Sequence, residues 1–112
     1  MIKPLELAKR ARKILEEKKG EDIVLLDVRK LSGITDYYLM VSGTSSPHLR
    51  AMFDEVMHVL KEDGMACYRR SGEPESGWLV LDYVDVIIHI LTAEKRDYYA
   101  IEELWGKAPR LR

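Results

Sequence analysis

The feature that most constrains the fold is a nearly unbroken apolar run over residues 77–91, which contains three aromatic or imidazole side chains and two aspartates. The run is typical of two strands that meet at an acidic turn. Alternation divides the first strand into two faces, with Trp78, Val80 and Asp82 on one and Leu79, Leu81 and Tyr83 on the other. Both faces are largely apolar. The sheet therefore has to be covered on both sides, by the chain's own helices or by a partner that docks over Trp78.

Length and composition limit the kind of protein that this chain can be. With 112 residues, of which 46% are hydrophobic, we expect a single domain over residues 1–112. No apolar run is long enough to span a bilayer, and the first residues lack the apolar core of a secretory signal. We therefore expect a cytoplasmic protein, in a bacterium rather than an organelle, that makes no membrane contact.

The charges are distributed unevenly along the chain. The formal net charge is −1, but residues 1–19 carry seven Lys or Arg against three Glu. This balance argues against free nucleic acid as the main ligand, because such proteins usually carry a basic excess over the working face. The basic first helix has either a solvated face or a contact with RNA beside a protein partner.

Hydrophobic periodicity predicts an α/β (α+β) fold, in which helices pack on a mixed sheet of about five strands. The predicted order is helix, two strands, helix, three strands, helix. The boundaries come from caps and breakers. They give a helix between Pro4 and Gly20, strands at 23–29 and 37–42, a helix from the Ser45 or Ser46 cap to Gly64, a strand at 65–69, an exposed acidic loop at 71–77, the two strands of the apolar run, and a helix at about 93–105.

The junction at residues 41–46 is the strongest indication of an enzyme. A strand enters a turn of small residues and then a helix N-terminus, and such a turn can hold a phosphate through backbone N–H groups. A strand-turn-helix junction needs a glycine and a serine cap in any case, and no Walker-type Lys or dinucleotide motif accompanies this one. We therefore expect no nucleotide cofactor.

The metal-ligating residue types are also scattered. His48, His58, His89 and Cys67 show no pair at the short spacing of a zinc site, and we expect no metal. Cys67 is the single cysteine, and we expect it to be a small buried hydrophobe. What remains is a set of aromatic side chains, among which we expect Trp78 at an interface and Tyr98 and Trp105 in the core.

Taken together, several short segments resemble the ribosomal silencing factor family, also called the Iojap-like family. Their order and spacing carry the resemblance, which runs from about Asp22 to Trp105. Val84 is a departure, since family members often have glycine there. The segments are residues 34–38 (ITDYY), 43–46 (GTSS), 77–89 (GWLVLDYVDVIIH), 96–99 (RDYY) and 104–105 (LW).

The resemblance implies a nucleotidyltransferase-like fold without transferase activity. It also implies a function by obstruction, because family members bind the large ribosomal subunit through its ribosomal protein fourteen and keep the small subunit from joining, which lowers translation. The motif matches assign that contact to Trp78, Leu79, Leu81, Asp82 and Tyr83, with His89 and Tyr98 as further members.

Two other functional classes stay open. One is a nucleotide-binding enzyme of the transferase type, which predicts stabilisation by nucleotide with Mg²⁺. The other is a homodimeric interaction module whose Trp78 face is covered by its own copy. Under the ribosomal hypothesis, acidic side chains on and near the hairpin favour a basic ribosomal protein and repel bare RNA; they are Glu73, Glu75, Asp82 and Asp85.

Overall fold

The computed structural model describes residues 3–31, 33–99 and 108–111, with only the backbone given for residues 98 and 99. Within these residues, three α-helices and five strands follow the predicted order, and a sixth strand lies at the end. They are α1 (Pro4–Glu17), β1 (Glu21–Asp27), β2 (Tyr37–Gly43), α2 (Ser46–Glu62), β3 (Arg69–Glu73), β4 (Trp78–Asp82), β5 (Val86–Thr92), α3 (Ala93–Tyr99) and β6 (Arg110–Leu111).

The strands form one mixed sheet in the order β3-β4-β5-β2-β1-β6. Only the central pair, β2 and β5, is parallel, and the other neighbours are antiparallel. Helices α1 and α2 both pack on one face of this sheet, with their apolar side chains in the same cluster as β2, β4 and β5. The predicted class, a mixed sheet with helices packed on it, is confirmed, and the sheet has six described strands rather than five.

The two long helices form where their apolar stripes and caps predict them. In α2 the hydroxyl of Ser45 accepts a hydrogen bond from the His48 N–H at 3.2 Å, which satisfies a donor of the first turn. Pro4 begins α1, where a missing N–H costs no hydrogen bond. The buried stripes are Leu7, Ala8, Ala11, Ile14 and Leu15 in α1, and Leu49, Met52, Phe53, Val56 and Leu60 in α2.

The predicted strand at 65–69 and the predicted loop at 71–77 are wrong in position. The strand β3 begins at Arg69 and includes residues 71–73, and Pro74–Ser76 then form a short 3-10 helix. All five β3 side chains are exposed, because the strand lies at the sheet edge and pairs with β4 alone. Apolar periodicity cannot detect such a strand, since its stability comes from backbone hydrogen bonds to β4.

Cys67 and the last helix also differ in part from expectation. Cys67 is half-buried rather than fully buried, and its Sγ donates to the carbonyl of Arg69 at 3.1 Å. Burial is the main reason that the pKa of this thiol is raised, which makes its thiolate less available. Helix α3 begins at Ala93 as predicted, whereas Trp105, the helix end and the side chain of Tyr98 lie outside the described residues.

The turn between β4 and β5 holds Val84 in an unusual backbone conformation. Val84 has φ 73°, a left-handed value that β-branched residues rarely adopt. The Asp82 carboxylate secures the turn by accepting the Val84 N–H at 2.7 Å. The Val84 side chain is 51% exposed, so little packing compensates for the strained conformation.

We expect Val84→Gly to raise the free energy of unfolding by about 1 kcal/mol, because glycine adopts this conformation without a steric cost. The measurement is chemical denaturation of both proteins. Val84→Ala, which keeps a Cβ, serves as the control and should gain less. A Val84→Gly protein less stable than the wild type would contradict the strain at this turn.

Candidate protein-binding surface

The sheet separates the predicted contact residues into two groups. Leu79, Leu81 and Tyr83 lie on the face covered by α1 and α2, where they are 2%, 0% and 6% exposed. Trp78, Asp82 and His89 are half-buried on the opposite face, here called the outer face. The predicted alternation of β4 is thus confirmed, and it places only the second group where a partner can touch side chains.

Strand register arranges the outer face as a grid. On β4 and β5, Trp78 lies opposite Leu91, Val80 opposite His89, and Asp82 opposite Ile87. Tyr38 of β2 is then opposite Ile87. Opposed residues point to the same side of a sheet, so side chains of three strands meet on this surface. Those that are half-buried are Trp78, Val80, Asp82, Ile87, His89 and Tyr38.

Three rings cross the outer face in a line from β4 to β2. The ring centroids of Trp78 and His89 are 5.9 Å apart, and those of His89 and Tyr38 are 5.3 Å apart. The indole Nε1 of Trp78 donates a hydrogen bond to Nδ1 of His89 at 3.1 Å. Because an indole N–H can only donate, Nδ1 accepts and the imidazole is neutral, with its proton on Nε2.

Burial determines the ionisation of this aromatic line. It lowers the pKa of His89 from 6.5 to about 4, because an imidazolium loses hydration there. It also raises the pKa of Tyr38, to which the nearby Asp82 carboxylate adds a smaller contribution. At neutral pH the three rings of Trp78, His89 and Tyr38 are therefore uncharged. Asp82 contributes negative charge beside them.

Tyr38 is an aromatic residue of this surface that was not among the predicted contact residues. It belongs to β2, fifty-one residues before His89, and only the parallel pairing of β2 with β5 brings the two rings together. The sequence signal that could have indicated Tyr38 is its position in the ITDYY segment, which is one of the segments that resemble the family. One side of the outer face is limited by α3, where the buried Arg96 donates to the Ser42 hydroxyl at 3.0 Å.

The turn that could have held a phosphate is occupied by its own side chains. The Thr44 N–H donates to Nδ1 of His48 at 3.0 Å, and the His48 N–H is taken by Ser45. Nε2 of His48 lies 2.8 Å from the Lys18 carbonyl, to which it donates in this tautomer. Gly43 faces Leu49, whose side chain would lie 2.6 Å from an added Cβ. This glycine thus serves helix packing.

The described residues form neither a metal-binding cluster nor a membrane-spanning helix. Among the described side chains, no group of three or more His, Cys, Asp or Glu is placed to hold a metal ion. His58 instead pairs with Glu62 at 2.7 Å on the surface of α2. In the described part of the chain, none of the helices has the length and apolar character needed to cross a membrane.

Known proteins resemble this chain in sequence over nearly its whole length. A sequence model of the family described as "Ribosomal silencing factor during starvation" matches residues 2–112. The chain belongs to the ribosomal silencing factor family. A ribosomal silencing factor from Halalkalibacterium halodurans is 34% identical over 104 residues, which cover 93% of this chain and 89% of that protein.

A solved structure and a mouse protein are also similar to this chain. A crystal structure of a Chromobacterium violaceum protein superposes with a TM-score of 0.90 at 34% identity, covering 94% of this chain and 88% of that one. A mouse protein named "Mitochondrial assembly of ribosomal large subunit protein 1" is 30% identical over 97 residues, which cover 82% of this chain and 42% of the mouse protein. The mouse protein thus contains a region similar to this chain, and membership of the ribosomal silencing factor family assigns the chain a role in ribosome silencing.

Proposed function

We propose that this protein binds the large ribosomal subunit through its ribosomal protein fourteen and blocks joining of the small subunit, which lowers translation in the cytoplasm. The observation that carries the proposal is the outer face of the β4–β5 hairpin. There Trp78 and His89 form a hydrogen-bonded pair of rings on a half-buried apolar surface, and Asp82 lies at its margin. Family membership supplies the ribosomal context.

The proposed contact uses the accessible residues of the hairpin. Trp78 and His89 supply apolar area that a partner can desolvate, and aromatic anchors of this kind often dominate binding energy. Asp82 supplies negative charge, which suits the basic surface of a ribosomal protein. The buried Leu79 and Leu81 support the strand from the helix side, so their contribution to binding is indirect.

To block joining of the small subunit, the protein only has to be bound to the large subunit; no chemical step is required. A standard interface buries roughly 800 Å² on each partner, which is about one-eighth of the 6850 Å² accessible surface of this chain. The folded chain measures 33 × 31 × 24 Å. A body of that size, seated on an intersubunit face, prevents close approach of the small subunit, and its off-rate then determines how long the block lasts.

The test is sedimentation of purified ribosomal subunits with wild-type protein, Trp78→Ala and Met57→Ala. Met57 is also a half-buried apolar residue, but it lies on α2, behind the sheet. We expect the wild type and Met57→Ala to migrate with the large subunit and to reduce joined ribosomes. We expect Trp78→Ala to bind at least about tenfold more weakly, in line with loss of an aromatic anchor.

Circular dichroism of each variant separates weak binding from unfolding. Two results would overturn the proposal: wild-type protein that fails to migrate with the large subunit, or full binding with an unchanged yield of joined ribosomes. Equal binding by Trp78→Ala and the wild type would exclude the outer face as the contact surface while leaving the silencing function in place.

A further inference from the structure

The large hydrophobic side chains that are exposed in the described part of the chain all lie at one end of the sheet. We call this set the apolar rim. Isolated exposed apolar residues are ordinary, but a group gathered on one surface indicates a binding site. The members and their exposures are Leu31 at 48%, Ile34 at 82%, Tyr68 at 67% and Val84 at 51%.

Strand direction places the four residues at the same end of the sheet. β1 and β4 end, and β2, β3 and β5 begin, at this end of the sheet. Hydrogen bonds connect the adjacent loops, since the Asp36 N–H donates to the Asp85 carbonyl at 3.0 Å and the Tyr68 N–H donates to the Asp82 carbonyl at 2.9 Å. From β3 to β1 the rim crosses four strand spacings, which is roughly 20 Å.

Val84 provides an independent indication that the rim has a function. It combines a left-handed backbone with a β-branched apolar side chain that is 51% exposed. Both properties are unfavourable in the isolated protein. Residues that retain such backbone strain are concentrated at active sites, ligand-binding sites and switch regions.

The charges of the rim determine what kind of partner fits. Asp36, Asp82 and Asp85 lie along its middle, and Asp85 is exposed at the turn itself. At one side Arg29 is paired with Asp27 at 2.7 Å, which lowers the pKa of that carboxyl. At the other side Arg69 lies over the Tyr68 ring, 5.7 Å from its centroid. The nearby arginines thus already have partners within the chain. Lys30 is exposed beside Leu31 at one side of the rim, while the three aspartates lie between the other apolar residues.

We propose that the apolar rim docks on a basic protein of the large ribosomal subunit, one that presents apolar side chains flanked by Lys or Arg. The inference rests on the proposed function and adds a second part to its contact surface. The rim is continuous with the outer face at Asp82, which lies on β4 beside the turn. Ribosomal RNA fits less well, because its phosphates would face the three aspartates.

The test is equilibrium binding of fluorescently labelled variants to purified large subunits at two salt concentrations. Ile34→Ala truncates the most exposed rim residue, and we expect about tenfold weaker binding, as for removal of an apolar anchor. Val84→Gly should bind about threefold more weakly although it is the more stable protein. A variant that is more stable but binds more weakly has lost a contact with the partner rather than folded structure.

Charge reversal identifies the chemistry of the partner. Asp85→Lys should weaken binding about tenfold and reduce its salt dependence if the partner is a basic protein. Glu17→Lys makes the same charge change on α1 at the opposite end of the sheet, where β1 begins. It is the matched control and should bind like the wild type.

The outcomes distinguish this inference from the proposed function. If the wild type binds the large subunit and the rim variants bind equally well, the rim inference is overturned and the proposed function stands. Tighter binding by Asp85→Lys would identify RNA as the neighbour, and light scattering that shows a wild-type dimer dissociated by Ile34→Ala would identify a second copy; either overturns the inference. If the wild type does not bind the large subunit, both proposals fail.

Discussion

Replacement of Leu81 by alanine is expected to lower the free energy of unfolding by about 3 kcal/mol, the usual cost of a fully buried leucine. Leu81 is 0% exposed and lies on β4, opposite Ile88 of β5 and beneath the helices. This loss is a large fraction of the total, because domains of this size have a free energy of unfolding of only about 5–15 kcal/mol. Urea denaturation gives the value directly.

Val80→Ala is the matched control, since Val80 precedes Leu81 in β4 and lies half-buried on the outer face. It should cost about 1 kcal/mol or less, because fewer buried methyl groups are removed. The pair also tests the assignment of Leu81 as a support residue. At a temperature where Leu81→Ala remains folded, it should bind the large subunit like the wild type, and weak binding by the folded variant would show that Leu81 itself is a contact.

Acidification from pH 6.5 to 4 is expected to remove about 3 kcal/mol of stability through His89 alone, from the difference between its folded and unfolded pKa values. Burial lowers the folded pKa to about 4, whereas the unfolded imidazole titrates near 6.5. Between these values the unfolded chain binds more protons than the folded chain, so stability rises with pH. The contribution is fully present above pH 6.5 and is lost as the pH falls.

His89→Asn isolates this effect from the carboxylates, which also titrate in acid. The Asn side-chain oxygen can accept from the Trp78 indole as Nδ1 does, but it does not titrate. Unfolding of both proteins measured at several pH values should show a steeper loss for the wild type between pH 6.5 and 4. If the free energies of unfolding of the two proteins fell equally with pH, His89 would not be held neutral by its surroundings.

Local patterns predicted the elements with apolar alternation or caps. The Ser45 cap marked the start of α2, and the run from Trp78 to Leu91 resolved correctly into β4, an acidic turn and β5. The polar strand β3 was misplaced because none of its side chains is buried. The two-residue β6 carries too little pattern for any sequence signal.

The candidate site was only partly predictable for a different reason. Alternation separates Leu79 and Leu81 from Trp78, but both faces of β4 are apolar, so the sequence does not say which one the helices cover. Packing of α1 and α2 decides that question. Tyr38 joins the surface through the register of β2 against β5, a contact between segments too distant in sequence for local periodicity to detect.

The edge strand β3 has a consequence for how this protein behaves at high concentration. Sheet edges with unsatisfied N–H and C=O groups can template stacking into filaments. Here the edge is short, carries Arg69, Arg70 and Glu73, and is distorted at Gly72, where φ is 87°. A strand whose side chains are all exposed therefore disfavours edge-to-edge pairing between copies of this chain, because its charges and its distortion oppose extension of the sheet.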